Sequence, residues 1–515
     1  MKSHRISNTK LHAKYAKLCE EEKNIRVEIV HLREKLLFSE SQFFYRIFSF
    51  FKLLAADFKN LFQKKKISLK PINKNGSLKN DIKITTQSIR SLKAYKEKLE
   101  AVERSPFILL VWIVKTCSSV LLFIPAFISN ALVRKELRKN STKRKTIDLI
   151  NFGVIPYHFR KLRQQHLAEE LAKKGVRIFY IESRFIPLAD GKAKYSLTKE
   201  VDNVYVVKLA SSRDIAIYHQ PPTVKEINEI IGSLKQFIND IGITNPLAKV
   251  DYPFWAYITN HLKVPVIYDC MDDYEGFNIT GSHILDLEKD LFKKSDITLV
   301  CSELLLKKVK KNRPRKTILL KNACEYTHFK KAYVKKDTCS AGLCWIRKPV
   351  IGFFGAVGEW IDTKLLIKIA TSFPSASVVL IGEVQNEEIL RIGETYPNIY
   401  LLGEKPYAKL PEYLQTFDIC VIPFLINKHT RLIDPVKMYE YFAAGKPVVT
   451  TAIQEIETYK KLFYYSSSHE EFILNVRFAL KEKNIKLRKK RQDVAQKNTW
   501  EKRSVILYKE LLKLA

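Results

Sequence analysis

The 515-residue chain is short of acid: 54 Asp and Glu stand against 89 Lys and Arg, giving a formal charge of +35 at pH 7. That surplus calls for an anionic partner, whether nucleic acid, anionic lipid headgroups or anionic substrates. The cations are mostly lysine and run the length of the chain. With no arginine-rich arm and no nucleic-acid motif, no nucleic-acid partner is expected. The eight cysteines are scattered, and Cys339 and Cys344 are spaced too far apart for a zinc knuckle and lack a second pair. They read as reduced thiols of a cytoplasmic protein, and no metal site is expected. The N-terminus is charged and has no apolar core, so no secretory signal is read there. The glycines at 352, 355 and 358 do not fit the dinucleotide fingerprint, which argues against a Rossmann dehydrogenase. A hydrophobic content of 46% is that of a globular protein.

Residues 1–104 read as a helical, coiled-coil-like region. Leu11, Tyr15, Leu18, Ile25, Ile29, Leu32 and Leu36 form a heptad seam, and Ile89, Leu92, Leu99 and Val102 a shorter one. The seams can pair with each other, mediate self-association or simply pack elsewhere. Between them, residues 42–62 carry phenylalanines among basic residues, the pattern of a helix lying in a membrane interface; core packing is the alternative. Residues 105–145 hold an apolar stretch, 107–128, and then a basic linker. The stretch is long enough to cross a bilayer, but Lys115 sits near its centre, at a cost of ~2.5–3.5 kcal/mol. Both flanks are basic, so re-entrant or monotopic insertion at an anionic membrane surface satisfies the charges better than a single crossing.

From residue 146 an apolar strand and an amphipathic helix alternate, the rhythm of α/β units with parallel sheets. Two such domains are expected, 146–335 and 347–485, with helix over 486–515. Residues 264–273, Val-Pro-Val-Ile-Tyr-Asp-Cys-Met-Asp-Asp, run from a strand into a loop with Asp269, Asp272 and Asp273. Open α/β sheets place ligands at such strand ends. Asp272 and Asp273 can position or deprotonate a hydroxyl, or merely cap turns. Residues 435–449, Pro-Val-Lys-Met-Tyr-Glu-Tyr-Phe-Ala-Ala-Gly-Lys-Pro-Val-Val, read as a helix running at once into a strand. A helix start suits a phosphate. Glu440, one and a half turns in, can accept hydrogen bonds from vicinal hydroxyls such as those of a ribose.

This last segment resembles the nucleotide-sugar motif of GT-B glycosyltransferases, in particular the retaining enzymes of family 4. Glu440 matches the second acid of that motif; Leu432 stands where the first acid is usual, and Asp434 lies two residues later. The resemblance extends over 146–515, through Arg163-Gln-Gln-His-Leu-Ala168, Tyr268-Asp-Cys-Met-Asp-Asp273, Asn322, Phe329, Gly352–Asp362, Tyr407 and Trp500. It implies a GT-B fold: two Rossmann-like domains facing a cleft, with the last helix crossing back. It implies a donor site at Gly355, Ala356, Val357, Tyr407, Arg431, Asp434, Pro435, Val436, Lys437 and Glu440, with Arg431 and Lys437 replacing the family's diphosphate-binding pair. It implies catalytic roles for Asp272 and Asp273, a nucleotide-sugar donor (UDP- or GDP-linked), no cofactor or metal, retention of configuration, and a lipid-linked or glycan acceptor. With the N-terminal region, the expected place is the cytoplasmic face of the inner membrane. His166 is expected to be packed, not catalytic. The rival readings are a non-catalytic membrane scaffold on a decayed GT-B fold, and a GT-B sugar-nucleotide epimerase.

Overall fold

The structure is a computed structural model that describes Leu137 and residues 146–515, apart from 189–193, 277–280, 313–315, 334–342, 344–345 and 429. The heptad seams, the aromatic stretch 42–62 and the apolar stretch 107–128 lie outside the described residues. Among the described residues, no helix is long and apolar enough to cross a membrane.

The first domain is built on eight strands: β1 (Asp148–Phe152), β2 (Arg177–Ile181), β3 (Tyr195–Val201), β4 (Val204–Leu209), β5 (Leu247–Val250), β6 (Val266–Cys270), β7 (Ile297–Val300) and β8 (Thr317–Leu319). They lie in the order β3-β4-β2-β1-β5-β6-β7-β8, parallel except for the β3–β4 hairpin. Every residue of β1 and β2 is buried, as expected of strands covered on both faces. Four longer helices serve this sheet: α1 (Arg163–Ala172), α2 (Val224–Ile241), α3 (Ser282–Lys294) and α4 (Glu303–Asn312). Thr223 and Glu226 form a capping box at the start of α2, and Gly242, at φ 74°, ends it.

The second domain repeats the plan with six parallel strands: β9 (Val350–Phe354), β10 (Ser377–Ile381), β11 (Ile399–Leu401), β12 (Ile419–Ile422), β13 (Val448–Thr451) and β14 (Tyr464–Ser466). Their order is β11-β10-β9-β12-β13-β14. Helices α5 (Thr363–Ser372), α6 (Glu387–Thr395), α7 (Leu410–Thr416), α8 (Val436–Ala443) and α9 (His469–Leu480) cover it. In each sheet the strand order reverses once: β2 and β5 flank β1, and β10 and β12 flank β9. Crossovers leave such a point on opposite faces, so a crevice opens at the carboxyl ends of these strands.

The C-terminal stretch is not the single helix read from the sequence. Helix α10 (Ile485–Lys497) packs on α8 of the second domain, and α11 (Trp500–Leu514) packs on α1 of the first. The chain breaks at Asn498-Thr499, where Thr499 accepts from Lys502 N and caps α11. Trp500, Leu507 and Leu511 join Leu167, Leu171 and Val176 in one apolar cluster, which buries the crossing helix against the first domain.

Candidate functional site

A cavity of about 580 Å³ lies where the two crevices face each other. Val154 and Ile155 reach it from the end of β1, Tyr252 from β5, and Met271, Asp272 and Tyr274 from β6. Across from them stand Trp360 after β9, Phe424 after β12, and Asp434, Pro435, Val436, Lys437 and Glu440 around the start of α8. The fold thus brings both reversal points to one enclosure.

The second-domain wall centres on α8. Pro435 is its N-cap residue, one position earlier than the first-turn place read from the sequence, and Gly445, at φ 66°, follows its end. Lys437 and Glu440 are one turn apart and joined, Nζ to Oε2, at 3.1 Å. Glu440 is buried, and Lys437 also lies over the Phe354 ring, 5.2 Å from its centroid. Gly355 makes room for this lysine: a Cβ there would come within 2.9 Å of Lys437 Cε. Gly355, Ala356 and Val357 themselves are not among the lining residues; Val357 is wholly buried and pairs through its backbone with Glu383 and Val384. Arg431 is exposed on a short 3-10 turn and does not line the cavity. Nor does Tyr407. It stacks on His328 (4.7 Å between centroids) and meets His166 and Phe329 edge-on, an aromatic packing role.

The first-domain wall separates two neighbouring aspartates. Asp272 lines the cavity, and its charge raises the phenol pKa of both Tyr218 and Tyr274, secondary in each to burial. Asp273 is turned away. It is buried against Lys308 Nζ at 2.6 Å, which Glu275 shares, and it does not line the cavity. The structure therefore gives Asp273 a structural ion pair in place of the catalytic position expected from the sequence.

Beneath this wall lies a wholly buried charge cluster. Arg163 donates to Asp269 through Nε and Nη2, the shortest contact being 2.9 Å, and through Nη1 to the Leu320 carbonyl at 2.8 Å. Lys249 pairs with Asp251 and with Asp269, the latter at 2.9 Å. Burial works against the Asp269 charge, but Arg163 and Lys249 outweigh it and hold its carboxyl below the ordinary aspartate value. His166 is buried and lines the cavity; it stacks on Trp500, 5.2 Å between centroids and 8° between planes. Burial, with nearby Lys161, pushes its pKa well below the ordinary histidine value, so it is neutral at physiological pH.

Polar contacts join the domains at several places. Asn322 N donates to Asp434 Oδ2 at 2.7 Å. Glu455 accepts from Glu303 N at 3.0 Å and Leu304 N at 3.3 Å, at the start of α4, and pairs with Lys321 at 2.8 Å. Arg160 bridges to Glu383 at 2.8 Å and Glu404 at 2.5 Å, two acids just past the ends of β10 and β11. Asp434 lines the cavity, but its carboxylate is engaged by Asn322 N and the Tyr439 hydroxyl.

Sequence reading did not pick out Lys161, Gln164, Tyr218, Tyr252, Tyr274, Trp360 or Trp500 as lining residues. Some of them lie just past a strand or at a helix start, whereas Tyr218 and Trp360 sit in loops with no such local signal. Tyr252 lies two residues beyond β5, and Gln164 is the second residue of α1.

Residues 348–480 match the family model described as "Glycosyl transferases group 1". Over 219 residues the chain is 25% identical to TuaH of Bacillus subtilis (strain 168), whose name makes it a glycosyltransferase of teichuronic acid biosynthesis. The match covers 39% of this chain and 53% of TuaH, so the chain spans about half the length of that relative. Among solved structures, sucrose-phosphate synthase from Thermosynechococcus elongatus superposes with a TM-score of 0.58 at 14% identity, over 72% of this chain and 100% of its own. Anabaena HepE, solved with UDP and glucose, superposes with a TM-score of 0.51 at 14% identity, over 72% and 100%. The identities are low, and what these structures share with the chain is the fold.

Proposed function

We propose that this protein, whose second domain is a group 1 glycosyltransferase domain of GT-B fold, moves a sugar from a nucleotide sugar to a glycan or lipid-linked acceptor in surface-polysaccharide synthesis. The observation that carries this reading is the pairing of Lys437 with Glu440 at the start of α8, facing a cavity shared with Asp272 of the first domain. Glu440 would accept the two ribose hydroxyls. Lys437 and the first N–H groups of α8 would face the diphosphate, whose charge grows as the sugar–oxygen bond breaks. Asp272 would orient the acceptor hydroxyl and take its proton as that oxygen bonds to the anomeric carbon. TuaH supports the polysaccharide setting by its name, and HepE supports the donor class by its bound UDP and glucose. Retention of configuration, independence of metal, a UDP- or GDP-linked donor and a site at the inner membrane face, held by residues 1–145, complete the proposal. These parts rest on the sequence resemblance and on the basic, apolar N-terminal composition.

One observation favours the non-catalytic scaffold. Leu432 occupies the place of the first motif acid, and the nearest carboxylate, Asp434, is engaged by Asn322 and Tyr439. Calorimetry of the full chain with UDP, GDP, ADP, CMP and dTDP, beside Glu440→Ala, decides between the two. Micromolar binding of one nucleotide, lost in the variant, supports the transferase. A folded protein that binds none of the five is a scaffold.

A further inference from the structure

Helix α9 carries apolar side chains on two faces. Phe472, Ile473, Val476 and Ala479 are buried in the core of the second domain. Leu474 and Phe478, one turn apart on the outer face, are 50% and 53% exposed. Ile485, the first residue of α10, follows after the connector 481–484 and is 73% exposed. A single apolar side chain on a surface is ordinary, whereas three along one helix–connector–helix corner mark an interaction site.

The same corner is strongly basic. Residues 474–490 hold seven Lys and Arg and one acid, Glu482. That acid is folded inward: the buried Arg491 holds it through both terminal nitrogens, at 2.6 and 2.7 Å, and the Tyr464 hydroxyl donates to it at 3.0 Å. Lys481, Lys483, Lys486 and Lys490 are exposed and have no acid partner among the described residues. Lys489 is paired with Asp493 at 3.1 Å. The two acids of α9, Glu470 and Glu471, lie in its first turn, at the end away from this corner.

Exposed cations beside exposed apolar side chains narrow the occupant. A second copy of the chain would bring like charge against like. Residues 1–145 are themselves rich in Lys and Arg and are repelled in the same way. Nucleic acid would use the cations and leave the apolar side chains in water. An anionic bilayer uses both: apolar side chains enter the boundary between headgroups and acyl chains while lysines sit among the phosphates.

We propose that the α9–α10 corner docks the second domain on an anionic phospholipid surface, with Leu474, Phe478 and Ile485 inserted below the headgroups. The contact is separate from any made by residues 1–145 and independent of the sugar-transfer reading. It gives the chain a second attachment point, so that the two reinforce each other.

The test is tryptophan fluorescence of the full chain on vesicles brominated near the headgroup end of the acyl chains. Phe478→Trp and, separately, Leu474→Trp place a reporter at the corner, and the wild type supplies the background of the native tryptophans. On vesicles containing phosphatidylglycerol each reporter should be quenched beyond that background; on phosphatidylcholine alone it should not. Changing Lys481, Lys483, Lys486 and Lys490 together to Gln should return the quenching to background, with an unchanged melting temperature. A chain that sediments with the anionic vesicles while both reporters stay unquenched is held only by residues 1–145, and the proposal falls. It falls also if the added quenching survives loss of the four lysines, or if the chain binds no vesicle. Binding of polyuridylate at this corner with the reporters unquenched on vesicles makes it a nucleic-acid surface instead and overturns the proposal.

Discussion

Asn322 clasps Asp434 twice: its backbone N–H donates to the carboxylate at 2.7 Å, and its side-chain amide donates to the Asp434 carbonyl, also at 2.7 Å. The loop after β8 is thereby fixed to the residues that open α8. Arg163 holds the same loop from below, through the Leu320 carbonyl and Asn322 Oδ1 at 3.2 Å. The buried charges of the first domain and the helix start of the second are thus parts of one chain of contacts. Asp434 thus serves the seam between the domains while lining the cavity.

Burial lifts the Asp434 carboxyl to about 7, against the pull of Lys321, Asn322 and Tyr439. An aspartate whose folded pKa lies above its unfolded value, about 4, binds more protons in the folded state between those limits. Stability is therefore greater at acid pH and falls as pH rises from about 4 to about 7. Glu288, pushed to about 7 mainly by burial, adds to the same slope. Asp434→Asn should remove only its own share. Unfolding free energies from urea titrations at pH 5 to 8 should fall less in the variant than in the wild type, by ~1 kcal/mol or more. Equal slopes would show that Asp434 ionises as an ordinary aspartate.

Lys437 and Glu440 should separate by ligand. Lys437→Met should weaken a nucleoside diphosphate roughly 10- to 100-fold, the range of a charged hydrogen bond, and barely touch the nucleoside alone. Glu440→Ala should weaken both, since its proposed partner is the ribose. Calorimetry with UDP against uridine, or GDP against guanosine, reads the difference. Equal losses on both ligands in Lys437→Met would take that lysine off the phosphates.

The loop after β9 depends on two glycines packed face to face. Gly382 sits at φ 145°, and a Cβ on it would lie 1.9 Å from the Gly355 carbonyl oxygen. Backbone cannot swing aside as a side-chain end can. Gly382→Ala should cost about 3 kcal/mol or more, combining strained dihedrals with overpacking. Gly403→Ala, at φ 66° with nothing near its would-be Cβ, should cost only the dihedral strain, on the order of 1 kcal/mol. Chemical denaturation of the two variants compares them directly.

What could be read from sequence was what is local in the chain. The strand that opens residues 264–273 appears at Val266–Cys270, and the loop with Asp272 and Asp273 follows it. Glu440 and Lys437 share one turn of α8, so their meeting needs only helical spacing. The β3–β4 hairpin escaped notice because β3 mixes exposed polar residues with buried ones and gives no clean apolar run. Asp272 and Asp273 looked alike because a loop's turn decides which of two neighbours faces the cavity. The Arg163–Asp269 pair spans 106 residues and is set by strand order, which no local pattern records.

That pair is where the first domain should be most sensitive. Arg163→Ala would leave Lys249 alone with two buried acids, Asp251 and Asp269, and should cost ~3–5 kcal/mol. Arg163→Lys is the sharper variant, because it keeps the charge. A lysine ammonium has no fork to hold Asp269 and the Leu320 carbonyl together, so stability should still fall, by roughly 1–3 kcal/mol. The loop carrying Asn322 would then be less firmly held, and its hold on Asp434 correspondingly weaker. Asp434→Asn should therefore cost less in the Arg163→Lys background than alone, a coupling of at least about 0.5 kcal/mol in a double-mutant cycle. Strict additivity would mean that the two ends of the contact chain act independently, and that Arg163 stabilises its own domain without setting the seam between the two.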